Sequence, residues 1–431
     1  MKKETTALIF FIIVGIAKAC KSSSSSSSRV TKPVSEEEKF ECDAEIDQEF
    51  SQLAAANANF FINLYKNIQS SGNILISPFS IFSGLSLLHL ATRSETKLQY
   101  EQVLQYDSGN SSMIHKEARN ILNSLERLSK VSNETFILKT ANKIFVDSSF
   151  SVKSSYLEKT KCYYKSEALT LPLQSDPQNS ANSINSWVSE KTNDRIKDLV
   201  SASSLGANTQ CVLINTVYFK APWRKPFKKQ ATQEGDFIRQ DGTKLKVDMM
   251  VLEKYLSFAN LDVGGMVVEL DYDTCKNCDE RSSEMAMYLF IPNEGVAWDS
   301  FENEIMKENI INGKAINFDQ ESLQLKMPRF EIRHQEELVP TLTALGLDLG
   351  GDFSGLSDSP TQVSDVLHET YLKVDEEGSE GAAATAIFMS RMLFIPRLSV
   401  QINRTFFLSI VHKSSRVVVF AGKIDEPNRI V

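Results

Sequence analysis

Glu376-Glu377-Gly378-Ser379-Glu380-Gly381-Ala382-Ala383-Ala384-Thr385-Ala386, running on into Ile387-Phe388-Met389-Ser390-Arg391-Met392-Leu393, sets small side chains behind an acidic pair, then turns apolar with one cation near its end. Composition alone allows a flexible linker or a short alanine-rich helix, since alanine is the best helix former. A linker joins two domains, and the residues beyond this stretch are too few for a second one of ordinary size. They read as strands instead, at 400–402, 406–411 and 417–420. The stretch therefore belongs to one domain whose last strands follow it. Successive residues of a strand face opposite sides of a sheet, so Ser379, Gly381, Ala383 and Thr385 would share one face and Glu380, Ala382, Ala384 and Ala386 the other. Nothing bulky would block entry between two existing strands.

This string resembles the hinge of an inhibitory serpin, and matches to that family recur along nearly all of the chain. At 73–81 the run Asn73-Ile74-Leu75-Ile76-Ser77-Pro78-Phe79-Ser80-Ile81 is broken by Pro78, and a helix follows. Two serines beside a proline read as a helix cap; the resemblance makes Ser77 and Ser80 members of the shutter beneath the main sheet. The strand-like run 211–220 carries Asn215 in its middle, and a buried asparagine needs hydrogen-bond partners. By resemblance it sits beside those serines and a histidine from the strand leading to the hinge, here His368. His368-Glu369 opens like the zinc motif His-Glu-x-x-His, yet Leu372 stands where the second histidine belongs. A satisfied core histidine is the remaining reading. Trp223 (shutter or breach in the resemblance) with Phe227, then 247–250, 327–330, 345–356, 403–407 and 420–423 continue the family pattern in order. Gly381 stands where alanine is commoner, Ala91 and Ser94 where glycines are usual, and Thr405 where proline is usual, which creates a sequon at Asn403.

The fold this implies is α+β, the serpin fold: three β-sheets with about eight or nine helices and an exposed reactive loop at about 376–397. Apolar residues at helical spacing agree over 50–68, at Ile121, Leu122, Leu125 and Leu128, and at Ile184, Trp187, Val188, Ile196 and Val200. Residues 46–431 form the domain. Before it, Lys2 and Lys3, an apolar run and Ala17-Lys18-Ala19 read as a secretory signal peptide over 1–19, too short for a membrane span. The serine-rich, charged stretch 20–45 has no periodicity and reads as a disordered tail.

The chain has 431 residues, a net charge of −8 and 42% hydrophobic content, enough to bury a large core. Its basic residues are scattered, which argues against nucleic acid as a partner. Six cysteines are too few for a disulfide scaffold at this length. Cys275 and Cys278 lack a second metal-ligating pair at matching spacing, so a hairpin-tip disulfide is expected rather than zinc. Cys162 and Cys211 read as buried thiols. Asn110 and Asn133 head glycosylation sequons in polar surroundings. Lys116, Arg119, Arg127 and Lys130 are interleaved with Glu117 and Glu126, a mixed pattern that disfavours glycosaminoglycan binding. No hydrolase, phosphate-binding or complete metal motif is present, so the expectation is a monomer without cofactor or metal, and not an enzyme.

The resemblance implies a suicide substrate. A serine protease attacks the loop and forms an acyl-enzyme; the freed hinge then inserts into the main sheet as a new strand. The residues from Gly378 to Arg391, at ~3.3 Å each, would carry the tethered enzyme roughly 45 Å. The commonest family register puts Met392 before the scissile bond and favours elastase- or chymotrypsin-like targets. A loop one residue shorter puts Arg391 there and favours trypsin-like enzymes. Met389-Ser390-Arg391-Met392 resembles the loop of the plasma plasmin inhibitor, which uses the shorter register, so Arg391-Met392 is the favoured bond. The alternative is a non-inhibitory serpin acting as a carrier or chaperone.

Overall fold

The computed structural model describes residues 51–68, 72–106, 111–132, 135–274, 283–380, 397–428 and 430. In chain order the elements are α1 (Ser51–Asn67), β1 (Ile74–Ile76), α2 (Pro78–Ala91), α3 (Ser94–Val103), α4 (Ser111–Val131), β2 (Ile137–Asp147), α5 (Ser154–Tyr164), β3 (Ala168–Leu171), α6 (Pro177–Lys191), β4 (Cys211–Pro222), β5 (Gln233–Ile238), β6 (Lys244–Leu261), β7 (Gly265–Asp271) and β8 (Met285–Pro292). There follow α7 (Trp298–Ile305), α8 (Glu308–Ile311), β9 (Asp319–Pro328), β10 (Phe330–Glu337), α9 (Val339–Ala344), β11 (Asp365–Val374), β12 (Gly378–Ser379), β13 (Leu398–Gln401), β14 (Phe406–His412) and β15 (Val417–Ile424).

Two hydrogen-bonded sheets organise these elements. The larger runs β1-β15-β14-β8-β7-β6-β9-β13, with β5 on the flank of β6. Its strand β6 is long enough to pair with β5 at one end and with β7 at the other, so the two smaller sheets expected of a serpin are one continuous ladder here. Strands β8, β14 and β15 are buried along their whole length. Their apolar runs accordingly show no polar alternation.

The other sheet runs β10-β11-β12-β4-β2-β3. Along most of their length β11 and β4 pair directly and parallel, from Asp365↔Val212 to Tyr371↔Tyr218. Past that seam the two residues of β12 lie between them, Ser379 opposite Val374 on one side and Ala221 on the other. Helix α2 packs against β4, β2 and β15 and is buried on nearly every side, as a helix apolar all round must be. The Ser77 hydroxyl caps its first turn by accepting from Ser80 N–H, with Pro78 at the first position, where a missing N–H costs nothing.

The apolar period running through Ile196 and Val200 is not one helix. α6 stops at Lys191 because Asn193 and Asp194 take left-handed backbone, φ 50° and 61°, which asparagine and aspartate tolerate best among non-glycine residues. The Thr192 hydroxyl bridges the break, donating to Val188 O and accepting from Ile196 N–H. Ile196, Leu199 and Val200 still join Ile184 and Val188 in one core with Val212 and Ile214 of β4, so the apolar spacing reports burial rather than helix.

Among the described residues the cysteines differ from expectation at one position. Cys162 is disulfide-bonded, not a thiol, with its partner outside the described residues. Cys211 is buried and free, and burial pushes its thiol up to about 12.

Candidate functional site

At the seam, β4 and β11 are tied by side chains as well as by backbone. Asn215 and His368 lie opposite each other in the parallel register, and His368 Nδ1–H donates to Asn215 Oδ1. His368 Nε2 accepts from the Ser77 backbone N–H at 3.1 Å, which fixes the tautomer. The Ser77 hydroxyl donates to Val419 O at 2.6 Å. Asn215 Nδ2 donates to Ser80 Oγ at 2.7 Å, and Ser80 Oγ donates to Asn142 Oδ1 at 3.3 Å. Ser77, Ser80, Asn215 and His368 are all buried. Each has its hydrogen bonds, so the group is held together rather than left costly. Burial is the main cause that holds the His368 imidazole down to about 3, so the ring is neutral at physiological pH.

The hinge residues form a second cluster at the end of the seam. The peptide N–H groups of Glu377 and Gly378 both donate to Asp375 Oδ1, making a tight turn after β11. Trp223 N–H donates to Glu377 O and its indole Nε1–H to Asp375 O, both at 2.8 Å, while its ring stacks on Tyr272 at 4.6 Å. Glu376 Oε1 accepts from the Thr232 hydroxyl at 2.5 Å, and Glu377 pairs with Lys229 at 2.6 Å. Gly378 passes so close to β4 that a Cβ there would stand 2.1 Å from Ala221 O. Ser379 Oγ shares a hydrogen bond of 2.8 Å with Tyr272 OH. Glu380 then turns out of the strand with φ 50°, its N–H donating to Lys373 O. Its carboxylate is gripped by Arg195, whose Nε donates at 2.5 Å, and Glu380 Oε2 is left buried without a partner. The Arg195 guanidinium lies over the Tyr371 ring, 5.5 Å from its centre.

Ser77, Ser80, Asn215 and His368 thus come together in one network, and Trp223 joins Glu376, Glu377, Gly378 and Ser379 in another. Gly381, Ala382, Ala383, Ala384, Thr385, Arg391, Met392, Asn110, Asn133, Cys275 and Cys278 lie outside the described residues. Asp375, Thr232 and Lys229 at the hinge were not singled out from sequence, nor were Asn142, Arg195 and Tyr272. Asn142 carries the signal that exposed Asn215, a polar residue inside a strand. Arg195 and Tyr272 carry none, since a surface arginine and a core tyrosine look the same wherever they sit. At the Asn403 sequon, the Thr405 hydroxyl is buried and donates to Asp425 Oδ1 at 2.6 Å. Among the described residues no group of three or more His, Cys, Asp or Glu could hold a metal ion, and no helix is long and apolar enough to cross a membrane.

Residues 55–427 match the family model described as serpin (serine protease inhibitor). The chain belongs to the serpin family. Among curated relatives, serpin B6 of Macaca fascicularis is 30% identical over 389 residues, covering 87% of this serpin and 99% of the relative. Human serpin B3 is 29% identical over 397 residues, covering 88% and 100%. Among solved structures, Serpin48 of the insect Tenebrio molitor superposes with a TM-score of 0.76 at 26% identity, covering 89% of this chain and 100% of that one. Thyroxine-binding globulin in complex with thyroxine superposes at 0.75 with 25% identity, covering 87% and 99%. The serpin fold expected from the sequence is the fold observed, and serpins as a family inhibit serine proteases rather than catalyse reactions.

Proposed function

We propose that this serpin is a secreted suicide substrate that traps a trypsin-like serine protease as a covalent acyl complex, cut after Arg391. The observation that carries this reading is β12: Gly378 and Ser379 already stand in the ladder between β11 and β4. A hinge begun there needs only small residues behind it to continue, and Gly381, Ala382, Ala383 and Ala384 are small. Each further residue that zips in adds ladder hydrogen bonds of about 1 kcal/mol, pulling the acylated protease away from the loop's original position. In this reading Ser77, Ser80, Asn215 and His368 are the shutter that opens, and Trp223 guards the entrance. Arg391 in the local likeness to the plasmin inhibitor supports a trypsin-like target, whose pocket carboxylate would pair with it. Secretion is supported by the signal-like segment 1–19 and by the disulfide at Cys162, since such bonds persist in oxidising compartments. Asn110 and Asn133 would then be glycosylated, and Cys275 would pair with Cys278.

Mixing the protein with trypsin, plasmin and chymotrypsin, then running a denaturing gel, tests the reading. A denaturant-resistant adduct with trypsin or plasmin, together with a released peptide beginning at Met392, is expected. A peptide beginning at Leu393 would move the cut to Met392 and the target to chymotrypsin-like enzymes. Clean cleavage without adduct would overturn inhibition in favour of a carrier.

A further inference from the structure

Two cysteines lie among the described residues, and they differ. Cys211 is buried and free, while Cys162, near the end of α5, is in a disulfide. Its partner comes from Cys20, Cys42, Cys275 and Cys278. The surroundings of Cys162, and the point at which each candidate joins the fold, decide between them.

Helix α4 packs against both α1 and α5. The Glu117 carboxylate of α4, 3% exposed, accepts the Leu53 N–H at 2.8 Å. It satisfies a free amide in the first turn of α1 with a charge of the sign that a helix N-terminus favours. Two residues further along α4, Arg119 Nη1–H donates to Cys162 Sγ at 3.7 Å. The start of α1 and Cys162 are therefore joined through a glutamate, two helical steps and an arginine, a path of at most roughly 25 Å.

Cys42 lies eleven residues ahead of Leu53, a length of chain that spans up to about 36 Å, so it reaches Cys162 with slack. The compact unit of the fold also begins at Cys42 and runs to Val431. Cys20 is three times as far from Leu53 in sequence, which lowers its effective concentration at Cys162 about fivefold. Cys275 and Cys278 start from the opposite end of α4. Asp273 N–H donates to Pro222 O and Glu284 N–H to Thr274 Oγ1, at the end of β4 where β2, following α4, opens with Ile137 opposite Lys220. Arg119 stands twelve residues back from Val131, the last of α4, about 18 Å along the helix axis. Cys278, four residues past Thr274, spans only ~13 Å, and the thiol beside it in sequence is Cys275.

We propose that Cys162 is bonded to Cys42, and that this bond staples the start of α1 across α4 to α5. It closes a ring of about 120 residues, which removes freedom from the unfolded chain. In the folded chain it keeps Leu53 at Glu117, whose buried carboxylate loses its donor if the first turn of α1 frays. The bond forms as the Cys42 and Cys162 thiols give up two protons and two electrons, by thiol–disulfide exchange, to a disulfide-bearing oxidoreductase. The staple rests on the export of the chain to an oxidising compartment, as in the proposed function, and not on which protease is trapped.

Trypsin separates every cysteine of the chain, which makes the test direct. The full chain, expressed for export, is unfolded at mildly acid pH, alkylated without reduction and digested. Residues 162–165 are expected to be linked to residues 40–66. Linkage to 255–276, to 277–281 or to the Cys20 peptide would overturn the pairing and leave export in place; Cys162 alkylated as a free thiol would overturn both. The staple itself has a second readout. Cys42→Ser, Cys162→Ser and the double variant are each expected to melt about 5 °C below the wild type, with no further loss in the double variant and faster amide hydrogen exchange at 53–56. Melting unchanged by the substitutions, or losses that add in the double variant, would show that the two cysteines do not act as one staple.

Discussion

Arg195 holds the hinge through a single carboxylate, and the two ways of breaking that contact are not equivalent. Arg195→Ala leaves Glu380, buried at its carboxylate, without its partner, at a cost of about 1–3 kcal/mol. Glu380→Ala removes the buried charge together with its need for a partner. The first substitution is expected to expel Gly378 and Ser379 from the sheet and the second to leave them there, as read by hydrogen exchange at 378–380. Equal protection in both variants would show that Arg195 is not the latch. At His368 the sign of the pH effect follows from its lowered value, about 3 folded against about 6.5 unfolded. The folded state binds fewer protons, so stability is lost as pH falls below about 6.5 towards 3. Denaturant midpoints of the wild type should drop over that window more steeply than those of His368→Gln. His368, Asn215, Ser77 and Ser80 could be read from the sequence because polar groups inside apolar runs must find one another. Arg195 could not, because its partner lies 185 residues away and nothing local marks either end.

At the level of elements, the hinge is a strand of two residues waiting for more. Ser379 is fully buried against Tyr272 and between two strands, so Ser379→Arg forces a long cationic side chain into space already filled by the Tyr272 ring and buries its charge. Insertion should stall, and the expected outcome with trypsin is turnover in place of adduct, with the stoichiometry of inhibition raised about tenfold or more, an added barrier of at least ~1.4 kcal/mol. An unchanged stoichiometry would mean that Ser379 is not on the insertion path. The sequence marked the hinge by its small side chains but not the fact that two of its residues are already paired. Glycine is a poor strand former, and what puts Gly378 in the ladder is tertiary: the Asp375 turn, the Trp223 contacts and an approach to Ala221 that only glycine allows. The overrun of α6 has the same origin, since Ile196 and Val200 are apolar for packing against β4 rather than for helix.

For the whole molecule, the β4–β11 seam can exchange one ladder for two, because every residue added to β12 replaces a direct β4–β11 pairing with partners on both sides. A protein cleaved after Arg391 should therefore melt well above the intact one, the added ladder being worth on the order of 10 kcal/mol; calorimetry of the two forms decides it, and equal melting temperatures would remove the loop-insertion mechanism. The family and its sheets were legible from motifs spread along the chain. The joining of the two smaller sheets through β6 was not, since a strand's length fixes neither its bends nor its partners.

The Ser77 hydroxyl finds its acceptor, Val419, 342 residues further on, and β1 pairs along β15. On a ribosome adding about 5–20 residues per second, the beginning of the domain stands exposed for roughly 20–70 s before the strand that covers it has been made. Newborn chains must be shielded by chaperones throughout that interval, and a premature stop that removes only β15 would forfeit the centre of the core, leaving a product fit for degradation rather than a shortened but working protein.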